Sequence, residues 1–268
     1  MVLVPAKDNP SMRVLDLVAP IGKGQRALIV APPRSGKTRL LSDIAESVST
    51  HYPDSKLVVL LLDERPEEVT HMVRTVNGQV FASSNDQDAK NHIRLASLAL
   101  DYAKRWAEVG KDVVLLLDSL TRLARSSNLI QAGTGRTLSG GVDTRALELP
   151  RRIFGAAREL EDAGSITIIA TALVETESRM DEFIYQDFKG TGNCEIVLRR
   201  DLADARIFPA IDIKQSGTRN DEVFLGEKTA QYNKLRRVLL DLSPSEAMKT
   251  LLSMISNSSS NEELINSL

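Results

Sequence analysis

The fold is decided by the stretch Ala27-Leu28-Ile29-Val30-Ala31-Pro32-Pro33-Arg34-Ser35-Gly36-Lys37-Thr38. Its first half is a short apolar run, typical of a strand covered on both faces, and its second half is a turn that opens a helix. A strand, a phosphate-binding turn and a helix in this order are the context of a Walker A motif. The first glycine of that motif is Ala31 here, but Gly36-Lys37-Thr38 is intact. The stretch therefore predicts a P-loop nucleotide site.

The turn and the helix start supply most of the predicted nucleotide contacts. Backbone amides in such a turn can surround phosphate oxygens. We expect Lys37 to neutralise the β- and γ-phosphates of ATP and the Thr38 hydroxyl to ligate Mg²⁺. The alternative is a glycine-containing helix start that binds nothing. The predicted nucleotide-binding residues of this segment are Pro33, Arg34, Ser35, Gly36, Lys37, Thr38 and Arg39.

The rest of the chain repeats the alternation of apolar runs and helical spacing. Further strands are predicted at 57–62, 113–117, 166–170 and 195–198, and helices at 38–48, 67–76, 86–109 and 144–161. This alternation predicts an α/β fold with a mostly parallel central sheet flanked by helices. Later segments are an apolar run at 207–213, a polar turn at 216–220 and helices at 230–240 and 244–255. Because no linker or repeat is evident, we expect a single domain over residues 1–268.

Composition narrows the classes of function. Lys plus Arg number 34 and Asp plus Glu number 36, so the formal charge of -2 argues against a protein that binds nucleic acid through its overall charge. Any such contact must be local. The lone Cys194 excludes an internal disulfide and a cysteine metal site. The apolar runs are far shorter than the ~20 residues of a membrane span, and the first residues do not resemble a secretory signal, so we expect a cytoplasmic protein without a membrane partner.

Acidic residues follow two of the predicted strands. Asp118 ends the 113–117 strand as a Walker B carboxylate that helps to hold Mg²⁺, or else it caps the next turn. Glu64 is the candidate for orienting the attacking water; Asp63 is its rival, and an exposed helix-cap acid is the alternative. Thr171 either senses the γ-phosphate or is a satisfied strand-end hydroxyl.

These residues belong to a set of motifs that resembles the ATPase domain of the bacterial Rho family of transcription terminators. The resemblance covers about residues 12–221, and the motifs occur in the family's order. They are Val14-Leu15-Asp16-Leu17, Pro20–Arg26, the Pro-Pro-Arg-Ser-Gly-Lys-Thr turn, Leu62–Thr70, Leu117–Arg125, Gly140–Asp143, Phe154–Arg158, Met180–Glu182, Phe188–Asn193, Phe208–Asp212 and Ser216–Arg219.

The resemblance implies a RecA-like fold and a ring of six subunits with ATP at each interface. Arg219 then matches the arginine finger, which acts on the neighbouring subunit's nucleotide. Arg122 and Arg125 resemble arginines that link nucleotide state to the neighbouring subunit, against the alternative of a solvated helix face. Phe208 matches an aromatic that packs on adenine, against the alternative of a core residue. Without the resemblance, Arg219 would be read as a surface arginine.

The resemblance also implies contacts with single-stranded RNA in the central hole of the ring. The first such loop is Gly133–Gly141, with Arg136 and Thr137, and the second contains Lys189 and Gly190. Glycine-rich backbone with one cation per loop suits a phosphodiester chain. The alternative is two glycine-rich turns with incidental charges.

Three departures from the family pattern concern RNA loading, base packing and RNA grip. The Rho-like motor begins almost at Met1, so we expect the N-terminal OB-fold RNA-binding domain of the family to be absent. Arg39 stands where the family tends to have an apolar residue beside the adenine, and Arg136-Thr137 replaces a Lys-Val type pair. The three departures question how the chain loads onto RNA, packs on the base and grips RNA, not whether it hydrolyses ATP.

The resulting hypothesis is an RNA-dependent ATPase and translocase, or helicase, that acts in transcription termination and uses ATP and Mg²⁺. RNA polymerase or a full-length Rho is the further partner that the resemblance suggests. Two alternatives stay open. The chain could be a partner or regulatory subunit that co-assembles with an intact Rho, or a RecA-like assembly ATPase that does not act on RNA.

Overall fold

The computed structural model describes residues 9–131 and 139–267, apart from the side chains of Ser139 and Phe224. The strands in these ranges are β1 (Arg26–Ala31), β2 (Lys56–Glu64), β3 (Gln79–Ser84), β4 (Val113–Asp118), β5 (Arg158–Glu159), β6 (Ser165–Leu173), β7 (Cys194–Val197) and β8 (Gly217–Thr218). The helices are α1 (Pro10–Val18), α2 (Lys37–His51), α3 (Pro66–Thr75), α4 (Ala89–Glu108), α5 (Leu120–Gln131), α6 (Glu148–Phe154), α7 (Arg179–Lys189), α8 (Arg200–Asp204), α9 (Glu222–Leu225), α10 (Thr229–Leu240), α11 (Pro244–Ser256) and α12 (Asn261–Asn266).

One mixed, mainly parallel sheet organises the described chain. Its strand order is β3-β2-β4-β6-β1-β7-β8, with β5 added beside β6. Every pairing from β3 to β7 along that order is parallel, whereas β7 with β8 and β5 with β6 are antiparallel. The prediction of an α/β fold with a mostly parallel sheet is confirmed. Because the parallel strands point the same way, the turns after β1, β2, β4 and β6 meet at one edge, the carboxyl edge of the sheet.

The sheet separates two apolar clusters. Along β1, Ala27, Ile29 and Ala31 pack with α1, α2, α10 and α11, while Leu28 and Val30 pack with α4 to α7. Burial of both faces explains why the strands read as continuous apolar runs. No helix of the described ranges is both long enough and apolar enough to span a bilayer.

The predicted helix at 144–161 is wrong at both ends. The helix α6 covers only Glu148–Phe154, and residues Arg158–Glu159 form the short strand β5. Pro150 has no backbone N–H, so it is tolerated only in the first turn of a helix, which agrees with a start at Glu148. The helix ends at Phe154, whose ring packs edge-on against Phe188 with 5.9 Å between centroids.

Other elements were missed by the pattern. The edge strand β3 and the helices α1, α5 and α7 were not predicted. The apolar run at 207–213 forms no strand, only an isolated bridge between Ile211 and Leu198. The predicted helices at 38–48, 67–76, 86–109, 230–240 and 244–255 are present with their ends moved by up to three residues.

A buried arginine joins α1 to the C-terminal helices. Arg13 is only 1% exposed, and its guanidinium donates to Asn261 Oδ1 at 2.9 Å, to the Ile255 carbonyl at 2.8 Å and to the Ser258 carbonyl at 2.9 Å. The Asn261 amide in turn donates to Asp16 Oδ2 at 3.2 Å. These bonds satisfy a charged group inside the protein, where an unpaired one would be strongly destabilising.

Candidate active site

The P-loop lies at the carboxyl edge of the sheet, between β1 and α2. Gly36 precedes α2 with φ of 92°, a left-handed conformation that glycine adopts without strain. Arg34 is also left-handed, with φ of 64°. The Ser35 hydroxyl donates to the Pro32 carbonyl at 2.7 Å and closes the turn. The loop thus has the backbone shape of an anion-binding turn at a helix N-terminus.

Lys37 connects the P-loop to acids from two other strands. Its Nζ lies 2.6 Å from Asp118 Oδ1 and 3.1 Å from Glu64 Oε1. Burial acts to lower the pKa of Lys37, but the charges of Asp118 and Glu64 outweigh it, and the pKa is raised above the ordinary lysine value. The ammonium therefore stays charged at neutral pH. The structure brings together the three residues that the sequence predicted from three separate strand ends.

Glu64 is the inner member of the acidic pair that follows β2. The side chain of Glu64 is 4% exposed, against 38% for Asp63, whose backbone is left-handed with φ of 56°. Burial, and then the charge of Asp118, raise the pKa of the Glu64 carboxyl, which Lys37 and Arg122 offset only in part. A buried carboxylate with a raised pKa is better suited than Asp63 to accept a proton.

The two arginines of α5 form ion pairs within the chain. Arg122 lies 3.3 Å from Asp63 Oδ2 and 3.4 Å from Glu64 Oε1. Arg125 Nε donates to Asp181 Oδ1 at 2.7 Å, and Asp181 also accepts from the Thr176 hydroxyl at 2.5 Å. Neither arginine lies on a freely solvated helix face. These contacts lie within one subunit, and the predicted link to the neighbouring subunit stays a prediction.

Asp118 and Thr38 are the predicted metal ligands. Asp118 Oδ1 also accepts from the Thr171 hydroxyl at 2.7 Å, which ties the end of β6 to the site. The Thr38 hydroxyl donates to Glu68 Oε2 at 3.1 Å. Sequence reasoning missed Glu68, although it lies in the Leu62–Thr70 motif and in the first turn of α3. Arg39 is exposed and pairs with Asp43 at 2.9 Å on its own helix.

Thr38 and Asp118 fit a P-loop magnesium site better than a metal site built only from protein ligands. Among the described residues, no group of three or more His, Cys, Asp or Glu side chains could hold a metal. Mg²⁺ in phosphoryl-transfer sites is held by one or two protein ligands, water and substrate phosphates. One hydroxyl and one carboxylate beside a phosphate-binding turn match that requirement.

Phe208 is exposed beside the P-loop. Phe208 is 46% exposed as a residue, and a Cβ added to Gly36 would lie 3.4 Å from its ring. The alternative of a core phenylalanine is therefore excluded by the structure. An exposed aromatic face next to the phosphate turn is available for a planar base.

Arg219 lies at the opposite edge of the sheet from the P-loop. It follows β8, and its backbone N–H donates to the Asn193 carbonyl at 2.8 Å, just before β7 begins. Cys194 pairs with Ala27 near the start of β1, whereas the P-loop follows the end of β1. Arg219 is therefore separated from its own P-loop by about the length of β1, roughly 17 Å at about 3.3 Å per residue. Its side chain is exposed and forms no ion pair with any described residue.

Lys189 and Gly190 also lie at this amino edge. Lys189 ends α7, stands 5.5 Å from the centre of the Tyr185 ring, and lines a cavity of about 240 Å³ together with Arg219. The other predicted RNA contacts, Arg136 and Thr137, lie outside the described residues. The structure thus groups Lys189 with Arg219.

The described end of the first loop meets the other end of α7. A Cβ on Gly140 would lie 3.0 Å from the Arg179 carbonyl, and Asn128 donates to the Gly141 carbonyl at 3.1 Å. Arg179 begins α7, about 15 Å from Lys189 at 1.5 Å per residue. In the described part of the first loop, Gly140 lies against the start of α7 at Arg179, at the opposite end of that helix from Lys189.

Comparison with known proteins places this site in a family. Residues 11–218 match the family model described as the ATP synthase alpha/beta family, nucleotide-binding domain. That match includes the P-loop, Glu64, Asp118 and Phe208.

The chain belongs to this family.

Several Rho proteins resemble the chain closely. The transcription termination factor Rho of Cereibacter sphaeroides is 51% identical over 265 residues, and that of Streptomyces lividans is 55% identical over 254 residues. These alignments cover 98% and 94% of this chain but only 63% and 36% of the two relatives. The Haemophilus influenzae Rho is 52% identical, with 96% and 61% covered. The predicted resemblance to the Rho ATPase domain is confirmed.

Solved structures of related ATPases share the fold. An ATPase from the type III secretion system of pathogenic bacteria superposes with a TM-score of 0.79 at 25% identity, covering 95% of this chain and 82% of that one. The assembled ATPase EscN, in complex with its central stalk EscO from enteropathogenic E. coli, gives 0.76 at 25% identity, covering 95% and 68%. The predictions of a RecA-like P-loop fold and of an ATP hydrolase are confirmed at the level of the family.

Proposed function

We propose that the chain is the motor part of a Rho-type, RNA-dependent ATPase that works as a homomeric ring, hexameric as in the resemblance, in the cytoplasm. The observation that supports this most directly is the division of the site between two edges of the sheet. The P-loop, Glu64 and Asp118 are assembled at one edge, while Arg219 stands unpaired among the described residues at the other. A head-to-tail ring brings opposite edges of neighbouring subunits together.

The proposed chemistry divides among a few side chains of one subunit and one of its neighbour. Lys37 binds and neutralises the β- and γ-phosphates of ATP, and Phe208 packs on the adenine. Thr38 and Asp118 hold Mg²⁺, which supplies charge neutralisation for the phosphates. Glu64 orients the attacking water and accepts its proton, and its buried position and raised pKa support this role. Arg219 of a neighbouring copy stabilises the charge that develops on the transferred phosphoryl group.

RNA contact is proposed for the first loop, including Arg136, and for the neighbouring segment Val174–Arg179. Thr176 of that segment bonds Asp181, which pairs with Arg125 of the helix that follows Asp118. This chain of contacts is a route by which RNA at the loop could affect the nucleotide site. It supports a motor whose turnover depends on RNA. A role in transcription termination is proposed from the names of the Rho relatives, and RNA polymerase as a partner from the resemblance alone.

The test is steady-state ATP hydrolysis with and without single-stranded RNA, with subunit number measured at the same concentration. Lys37→Ala is the blank, because loss of the phosphate cation should lower turnover by ~10² or more. RNA-stimulated turnover in rings supports the proposal. Turnover in rings that ignores RNA would instead favour an assembly ATPase, and turnover that appears only after mixing with a full-length Rho would favour a partner subunit.

A further inference from the structure

The turn that carries Arg219 is anchored up to the arginine itself. Residues 218–221, here called the finger turn, join β8 to α9. The Thr218 hydroxyl donates to the Pro20 carbonyl at 2.7 Å, and the Arg219 backbone N–H donates to the Asn193 carbonyl at 2.8 Å. The Arg219 side chain is exposed. The backbone of the finger turn is therefore fixed as far as Arg219, while the cation itself remains accessible.

A mostly buried ion pair anchors the other end of the finger turn. Asp221 Oδ2 accepts from Arg236 Nη1 of α10 at 2.5 Å, and the two side chains are only 10% and 20% exposed. Arg236 Nε also donates to the Leu17 carbonyl of α1 at 3.3 Å, and its guanidinium lies 6.0 Å from the centre of the Tyr232 ring. The pair therefore connects the finger turn to α1 and α10.

The residue between the cation and this pair has an uncommon backbone conformation. Asn220 is left-handed with φ of 54°. Asparagine adopts this conformation more readily than most residues, but a non-glycine residue keeps it only where the surrounding structure holds it. Arg219 is exposed on one side of Asn220, and Asp221 is buried on the other. Loss of the Asp221 anchor would let Asn220 relax and would move the adjacent arginine.

We propose that Asp221 and Arg236 are positioning residues for Arg219: their ion pair fixes the finger turn on α1 and α10, so that the arginine approaches the neighbouring subunit's nucleotide in a set position. The proposal rests on the proposed action of Arg219 in trans. A misplacement of about 1 Å in a group that acts on the transition state can cost roughly 100-fold in rate. The pair should therefore affect kcat, and not the binding of ATP to the P-loop.

The experiment compares steady-state ATP hydrolysis with equilibrium binding of a fluorescent ATP analogue, using rings of the purified full chain with saturating single-stranded RNA. Asp221→Ala should lower kcat by about 10- to 100-fold, with KM and analogue binding as in wild type. This variant leaves the Arg236 charge unpaired and so also destabilises the fold. Asp221→Ala combined with Arg236→Met removes both charges, provides a second variant without the pair, and should show the same loss of kcat.

A double-mutant cycle separates positioning from a general loosening of the ring. If the pair acts only through Arg219, adding Asp221→Ala to Arg219→Ala should cause no further loss of rate. Single-turnover hydrolysis, with rings in excess over ATP, compares the slow rates of these two proteins. A further loss in the double variant, similar in size to that of Asp221→Ala alone, would overturn the proposal.

Asn261 supplies the matched control. Its side chain accepts the buried bond from Arg13 at 2.9 Å, so Asn261→Ala loosens the contact between α1 and α12 and leaves the Asp221–Arg236 pair in place. Its kcat should equal that of wild type. An Asn261→Ala variant as slow as Asp221→Ala, or a wild-type kcat in Asp221→Ala, would overturn the proposal. Wild-type turnover in Arg219→Ala would instead overturn the action of Arg219 in trans, a pattern distinct from a failure of the pair.

Discussion

The two edges of the sheet differ in how completely their charges are paired. At the carboxyl edge, Lys37, Glu64, Asp118 and Arg122 form one buried network of opposite charges. At the amino edge, Arg219 is exposed with no ion pair among the described residues. Charges that are paired inside a chain are held in place for chemistry there, whereas an unpaired cation on a fixed turn is free to act on another molecule. The difference supports the proposal that the site is completed between subunits.

The largest expected effect comes from removing the amino-edge cation. Arg219→Ala should lower the maximal ATPase rate by ~10³, because the transition-state charge loses its trans partner, while binding of a fluorescent ATP analogue is retained. Steady-state kinetics and equilibrium binding check the two parts.

Mixing gives the decisive control. Arg219→Ala and Lys37→Ala subunits are each inactive alone, but in mixed rings about a quarter of the interfaces would join an intact P-loop to an intact finger. Recovery of activity on mixing is expected. Mixed rings with no more activity than either variant would contradict completion in trans.

The next effect concerns the base. Phe208→Ala should weaken binding of the ATP analogue by about 1–3 kcal/mol, the size of a base–aromatic stacking interaction. Phe208→Tyr, which keeps the ring, should bind nearly as well as wild type. Equal affinities for all three proteins, measured by fluorescence titration, would remove Phe208 from the nucleotide site.

A smaller effect should show which end of α7 contacts RNA. Arg179→Ala should raise the RNA concentration that gives half-maximal stimulation. It should also lower the salt dependence of RNA binding, by roughly 0.7 in log–log slope for each RNA phosphate that the arginine neutralises. Lys189→Ala, its counterpart at the amino edge, should leave that slope unchanged. The reverse result would restore the sequence-based assignment of RNA contact to Lys189.

The smallest effect is a pH shift at the carboxyl edge. Glu64 must be ionised to accept a proton, and its raised pKa places the acid limb of the ATPase profile above the pH of an ordinary glutamate. Arg122 lowers the pKa of Glu64, so Arg122→Ala should move that limb to higher pH. An acid limb that stays in place, measured as kcat against pH, would contradict Glu64 as the base.

The site residues at the carboxyl edge of the sheet could be predicted from the sequence because each of them belongs to a local sequence pattern. The P-loop, Glu64 and Asp118 each end an apolar run, and parallel strands bring such ends together. Phe208 and Gly36 are far apart in the sequence, so their closeness in space could be predicted only from the resemblance to the family. Glu68 was overlooked because an acid in a first helical turn is ordinarily read as a response to the helix dipole.

Failures of prediction arose where long-range packing overrides local pattern. Residues 144–161 have helical composition, yet Pro150 and the strand pairing of Arg158–Glu159 with β6 leave a short helix. The assignment of Lys189 to RNA came from the resemblance and stays a prediction. Local pattern did not indicate that Lys189 lines one cavity with Arg219, which the antiparallel pairing of β8 with β7 brings there.

The Arg13 network also bears on local unfolding. A six-residue helix such as α12 would ordinarily open and close rapidly, exposing its amides to solvent exchange. Here, opening α12 breaks the bond from Arg13 to Asn261 and leaves a buried guanidinium short of an acceptor. The first and last described helices therefore form one cooperative unit, and the amides of α12 should exchange hydrogen about as slowly as those of α1.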